Sequence, residues 1–254
     1  MSAEVALQAL KHIPGWDKLT DVTVRSVGNG NTNTSWVITR DRESFVLRVD
    51  SPAAEKLALS RANEIVVRTH VSKAGLAPAV IHSDPKRGIL LSEYAAGRAW
   101  SQQDILNEQS VLELASILRR LYALPTIGNL FDPERAMRHY AEQLKDSVSL
   151  DRADEVSRIL KTVGERPSML CHNDLVAENI IEGEQLWLID WEYAGVGDPL
   201  FDLAVIVEHH GMEKSLAVKL IETTLGSMNR QIANDLAAYR EVYRHIVALW
   251  SGII

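Results

Sequence analysis

The residues of this chain best suited to chemistry lie in one short stretch and comprise His172, Asp174, Asn179 and Asp190. Ile180-Ile181 and Leu186 to Ile189 read as two short strands, with Glu182-Gly183-Glu184-Gln185 between them as the turn of a hairpin. A hairpin returns its two ends to one place. Asn179, just before the first strand, and Asp190, just after the second, should therefore emerge together beside the loop that bears His172 and Asp174. Two oxygen ligands and a free carboxylate converge there. Such a set suits Mg²⁺, which takes one or two protein oxygens and fills its octahedron with water and nucleotide phosphates. Asp190 and Asn179 are the candidate metal ligands. Asp174 is placed to orient and deprotonate a hydroxyl during phosphoryl transfer, and His172, two residues earlier, is counted with it in the catalytic loop.

The joint pattern of His172-x-Asp174-Leu-x-x-x-Asn179 and Ile189-Asp190-Trp-Glu-Tyr-Ala-Gly195 resembles the aminoglycoside phosphotransferase and choline kinase superfamily, small-molecule relatives of the protein kinases. The Asp-Trp-Glu-Tyr-Ala wording looks like its choline and thiamine kinase branches. The resemblance implies an α+β, two-lobed protein-kinase-like fold: a β-rich N-terminal lobe over residues 1–94 that binds nucleotide, and a mainly helical C-terminal lobe over 95–254 for catalysis and the acceptor. ATP and Mg²⁺ are the implied cofactors. It departs from the protein kinases where Asp190-Trp191-Glu192 replaces Asp-Phe-Gly and Asn173 replaces arginine. The short span from Asp190 to Pro199 leaves little room for an activation loop, which argues against a protein substrate.

The elements that must hold these residues can be read in order. Ala3 to Lys11 reads as a short helix ending before Pro14-Gly15. Val22 and Val24, then Trp36 to Ile38, are strand-like and flank the polar turn Gly28-Asn29-Gly30-Asn31-Thr32-Asn33-Thr34-Ser35. That turn is either a plain hairpin loop or a cradle whose backbone N–H groups approach phosphate. Its likeness to the Gly-x-Thr-Asn loop of choline kinases points to Gly28, Gly30, Thr32 and Asn33 as nucleotide-binding. On the next strand Phe45, Leu47 and Val49 share one face, so Arg48 points to the other. The family carries a cation here, and a helix glutamate that holds it. Ala53 to Lys73 reads as that helix, with Glu64 chosen as the partner of Arg48 and Glu55 as the alternative. Two short strands, Ala79 to His82 and Gly88 to Glu93, complete the lobe. Glu93-Tyr94-Ala95-Ala96-Gly97 is then the connector, which in the family holds adenine through backbone groups.

Beyond Gly97 the apolar spacing turns helical, as in Val111, Leu114, Ala115, Leu118 and Leu121. Asp198-Pro199 has the form of an N-cap and first turn for a helix running to about His210. Asp202 within it is either a charge at the helix dipole or, by the resemblance, a buried brace for the catalytic loop. Adjacent His209 and His210 diverge on a helix and lack a spaced acidic partner, so they do not read as a metal site.

Composition narrows the function. The 254 residues are 46% hydrophobic with net charge -7 and pI near 5.6, which argues against non-specific nucleic-acid binding. Cys171 is the single cysteine and reads as a small apolar strand residue, so a reducing compartment and the cytoplasm are expected. No segment reads as a signal peptide or membrane span. The expected partner is a small hydroxylated acceptor carrying positive charge, with choline first, thiamine next and an aminoglycoside third. Trp191, Tyr193 and Trp250 are the aromatic faces offered to such a cation, with the core as the alternative place for Trp191 and Trp250, and Glu192 and Glu208 supply negative charge. The competing classes are a catalytically silent nucleotide-binding protein and a metal-dependent hydrolase using His172, Asp174 and Asp190.

Overall fold

The computed structural model describes residues 2–29 and 32–254. Its first part is a five-stranded antiparallel sheet in the order β1-β2-β3-β5-β4. The strands are β1 (Thr23–Asn29), β2 (Asn33–Arg40), β3 (Glu43–Asp50), β4 (Val80–Asp84) and β5 (Ile89–Glu93). Period-two alternation divides the sheet as expected. Trp36, Ile38, Leu47 and Leu91 face helix α1 (Ala3–Leu10), whose Ala6 and Leu10 complete a small buried core with Trp16. Val46, Arg48, Leu90 and Ser92 lie on the opposite face and line a cavity.

The expected single helix from Ala53 to Lys73 is two helices, α2 (Ala53–Lys56) and α3 (Arg61–Lys73). The chain breaks at Ala58, which adopts a φ of 53°, and restarts at Ser60, whose side chain accepts from the Asn63 N–H as an N-cap. The break gives α3 a fresh N-terminus, and Arg61 and Glu64 sit in its first turn.

The remainder is mainly helical around two small sheets. Strand β6 (Arg98–Ala99) pairs with β8 (Ile180–Glu182), which pairs with β9 (Leu186–Leu188) in the expected hairpin. Strand β7 (Met169–Cys171) pairs with β10 (Gly195–Gly197), and the two bracket the segment that bears His172, Asp174, Asn179 and Asp190. Two glycines let the connector run against the hairpin turn. A Cβ on Gly97 would fall 2.2 Å from the Glu182 carbonyl oxygen, and one on Gly183 would fall 2.1 Å from that of Ala96. Packing of the connector on the hairpin thus depends on two missing side chains.

Around these sheets stand α4 (Glu108–Tyr122), α5 (Pro133–Leu144), α6 (Ser147–Leu160), α7 (Pro199–His209), α8 (Lys214–Leu225) and α9 (Arg230–Ile253). Helix α7 is buried along its length from Pro199 to Val207, and Asp202 is the one charged side chain in that run. Asp198 caps it by accepting from the Leu200 N–H. Among the described residues no helix is long and apolar enough to cross a membrane.

Candidate active site

The hairpin delivers Asn179 and Asp190 to the same place. Both line a cavity of about 320 Å³ between the five-stranded sheet and the hairpin, together with Asn33, Arg48, Ser92 and the connector residues Glu93, Tyr94 and Ala95. Ala95 makes no backbone hydrogen bond to a described residue, so its N–H and C=O are free for a ligand. Asn179 donates through Nδ2 to the Asp174 carbonyl at 2.8 Å and to Asp174 Oδ2 at 3.0 Å. The amide clips the loop shut and leaves Oδ1, its acceptor oxygen, for a cation.

The loop is braced from beneath. Asp202 is fully buried and accepts from the backbone N–H of His172 at 3.0 Å, from that of Asn173, and from the Tyr122 hydroxyl at 3.2 Å. Burial nonetheless raises its pKa to about 6, against the pull of those donors. Asn173 and Asp190 both sit at left-handed φ, 66° and 61°, where non-glycine residues are strained. The strain lies on either side of Asp174, at positions whose side chains are held: Asn173 donates to the Tyr193 carbonyl at 3.0 Å and Arg48 donates to Asp190 at 3.3 Å.

Arg48 and Glu64 form a two-pronged pair at 2.6 Å on each prong, so Glu64 and not Glu55 is the partner. Burial opposes the Glu64 charge, yet Arg48 and Arg61 hold its pKa below the ordinary value. Arg61 also bonds Asp50 at 2.8 Å and Glu192 at 2.9 Å, tying β3, α3 and the segment after Asp190 into one block. Asn63 adds a second tie, donating to the Ala194 carbonyl at 2.8 Å and accepting from the Asn129 N–H at 2.6 Å.

Several expected site residues are placed otherwise. Trp191 is fully buried; its indole donates to the Leu188 carbonyl at 2.9 Å and its ring lies 4.5 Å from that of His172. It is core between hairpin and catalytic loop, out of reach of any acceptor. His172 is likewise fully buried, its Nε2 2.9 Å from the Ile189 carbonyl, so it positions the loop and does not touch reactants. Glu192 is buried with its carboxylate on Arg61 and on the Thr32 hydroxyl at 3.1 Å, so its charge is already matched. Glu208 is matched by Arg240 at 2.7 Å and Arg244 at 3.0 Å. Thr32 turns to Glu192, Gly28 pairs through its backbone with Ser35, and Gly30 lies outside the described residues.

Tyr193 and Trp250 do meet, the indole donating to the phenol oxygen at 2.9 Å. Tyr140 and Tyr243 stand outside the expected site residues. Burial raises the phenol pKa values of Tyr140, Tyr193 and Tyr243, and the charge of Asp174 adds to the rise at each. Tyr140 and Tyr193 also line a second cavity of about 650 Å³ toward α5. Helical spacing was the only sequence signal for Tyr140 and Tyr243, and it does not separate a site residue from core.

The electrostatics are unbalanced on the negative side. The Asp174 pKa stands well above the carboxylate range because of burial, then Asp190, then Glu192. Burial also raises Asp190 against the pull of Arg48, and burial with Asp190 raises Glu192 to about 7. Burial depresses the His172 pKa from 6.5 to about 4. A folded value below the unfolded one means stability present above pH 6.5 and lost as pH falls toward 4. Urea unfolding should show about 3 kcal/mol of such loss from His172 between pH 7 and pH 4. His172→Gln should flatten that slope, and an unchanged slope would contradict the assignment.

The sequence is 33% identical over 252 residues to protein LicA of Haemophilus influenzae, covering 90% of this chain and 72% of that protein. It is 27% identical over 223 residues to mouse ethanolamine kinase 2, covering 78% of this chain and 56% of that one. A solved choline/ethanolamine kinase family protein from Mesorhizobium loti superposes with a TM-score of 0.79 at 25% identity, over 98% of this chain and 85% of the other. The sequence profile of the phosphotransferase enzyme family matches residues 23–245, from the first strand of the sheet into the last helix with Asp174, Asn179 and Asp190 between them, and the chain belongs to that family.

Proposed function

We propose that this phosphotransferase uses ATP and Mg²⁺ to phosphorylate the hydroxyl of a small cationic alcohol, with choline first and ethanolamine or thiamine behind it, in a reducing cytoplasm. The observation that carries the reading is the Tyr193–Trp250 pair, whose phenol and indole meet at 2.9 Å, with Tyr140 beside Tyr193 on the same cavity. Aromatic faces attract a desolvated ammonium by about 0.5 to 2 kcal/mol each, and a hydroxyl on the same molecule then meets the base. The likeness to an ethanolamine kinase supports the same class.

The donor set fits Mg²⁺. Asp190 and Asn179 present oxygens to one cavity, and the charges of Asp190 and Glu192 both raise the Asp174 pKa, so a cation bound there would relieve the Asp174 carboxylate. Bound by these two side chains, the ion would offset the charge of the nucleotide phosphates. Asp174 orients and deprotonates the acceptor hydroxyl, while Asp202 and Asn179 hold its loop. The matched charges of Glu192 and Glu208 disfavour a polycationic aminoglycoside.

ADP release with choline, ethanolamine, thiamine, kanamycin and homoserine offered separately tests the reading. A cationic alcohol should give the highest kcat/KM, and Tyr193→Ala should raise its KM by roughly 5- to 30-fold with little change in the KM for ATP. Preference for homoserine, or an unchanged acceptor KM in the variant, would sink the cation site.

A further inference from the structure

We propose that Arg68 is a nucleotide-binding residue whose guanidinium donates to phosphate oxygens, an inference that rests on the nucleotide reading of the cleft and assigns a contact the Arg48–Glu64 pair leaves open. Arg68 follows Glu64 by one turn of α3 and so lies on the same helix face. It is only 6% exposed and lines the 320 Å³ cavity with Arg48, Ser92 and Asp190.

The three arginines of this region differ in how they are satisfied. Both terminal nitrogens of Arg48 are held by Glu64 at 2.6 Å, and Arg61 is shared among Asp50, Glu64 and Glu192. The Arg68 side chain makes no hydrogen bond or ion pair with any described residue, and its buried Nε has no acceptor. A guanidinium carries five N–H donors and stays charged, so burying it unpartnered costs folding free energy that only an acceptor-rich ligand can return. Burial, then the charge of Arg48, pushes its pKa down to about 10, while Glu64 and Asp190 pull the other way from a distance.

Location selects the part of the nucleotide. Arg68 lies one turn beyond Glu64, whose partner Arg48 reaches Asp190 at 3.3 Å, the metal and phosphate end; the connector Glu93–Ala95 marks the base end. A free planar fork matches phosphate oxygens in two-pronged fashion. With Arg48 committed to Glu64, Arg68 offers the unoccupied fork in this wall.

The test uses the full chain with Arg68→Met and Arg68→Lys, titrated calorimetrically with adenosine, ADP and Mg²⁺-ATP, together with thermal unfolding in the absence of ligand. Arg68→Met should weaken ADP and ATP by roughly 10- to 100-fold, the scale of a charge-assisted hydrogen bond, and leave adenosine unchanged. It should also raise the ligand-free Tm, because an uncompensated buried cation is gone. Arg68→Lys should keep part of the phosphate affinity. Equal losses for adenosine and ADP, unchanged ADP and ATP affinity, or a fall in the ligand-free Tm would each overturn the proposal. Should the parent bind none of the three ligands, the nucleotide reading falls first and Arg68 with it. A binding parent with an unaffected Met variant removes Arg68 alone.

Discussion

Asp174→Asn protein should bind nucleotide as the parent does and turn over roughly two to four powers of ten more slowly, the usual contribution of a positioned general base. The substitution is nearly isosteric, and an amide at 174 can still turn its oxygen to the Asn179 Nδ2 that now lies 3.0 Å from Oδ2. Asp202 grips the loop through the backbone of His172 and Asn173, so the fold of the loop does not depend on the Asp174 charge. What disappears is basicity. Burial and the neighbouring carboxylates raise the Asp174 pKa, which strengthens it as a proton acceptor, and an amide cannot take its place. Single-turnover rates and nucleotide affinity, measured on the same preparation, check this. A variant with parental turnover would remove Asp174 from the chemistry, and one with lost nucleotide affinity would show that the residue supports the cleft instead.

Asp190→Ala should abolish the Mg²⁺ dependence of ATP binding and lower turnover by on the order of 10³ or more, the scale of removing a preorganised charge in phosphoryl transfer. No neighbouring carboxylate can step in. Glu192 is held by Arg61 and Thr32, Glu64 by Arg48, and Asn179 is neutral. Arg48 loses a 3.3 Å contact but keeps both prongs on Glu64, so the sheet side of the cleft should stay in place. Asn179→Ala should weaken metal dependence less, since it removes a neutral ligand and loosens the clip on Asp174. ATP titrations with and without Mg²⁺ separate these outcomes. An Asp190 variant with the parental difference between the two titrations would contradict the metal assignment.

The sequence by itself determined the features that depend on near neighbours. Period-two alternation set Arg48 against Leu47, so the cation had to face away from the α1 core. A short polar turn between apolar pairs set the β8–β9 hairpin, though Glu182 joins the strand and leaves three residues to the turn, and a hairpin of any kind brings residues 179 and 190 together. Asp198-Pro199 set the start of α7, because an N-cap oxygen and a proline at the first turn act within a few residues. Tertiary structure decided the rest. Trp191 and Trp250 are both indoles near the site in sequence terms, yet one is sealed between the hairpin and His172 and the other reaches Tyr193. Which of them a ligand can touch depends on how α9 and the hairpin pack. The charge of Glu192 was visible, but its cancellation by Arg61, 131 positions away, was not. Nor was the break at Ala58, where residues of good helix propensity adopt a left-handed turn before Ser60 caps α3. Local rules assign a residue its face and its neighbours within a turn or a strand pair. Whether a buried charge ends with a partner, as Arg48 does, or without one, as Arg68 does, is settled only when distant segments close around it.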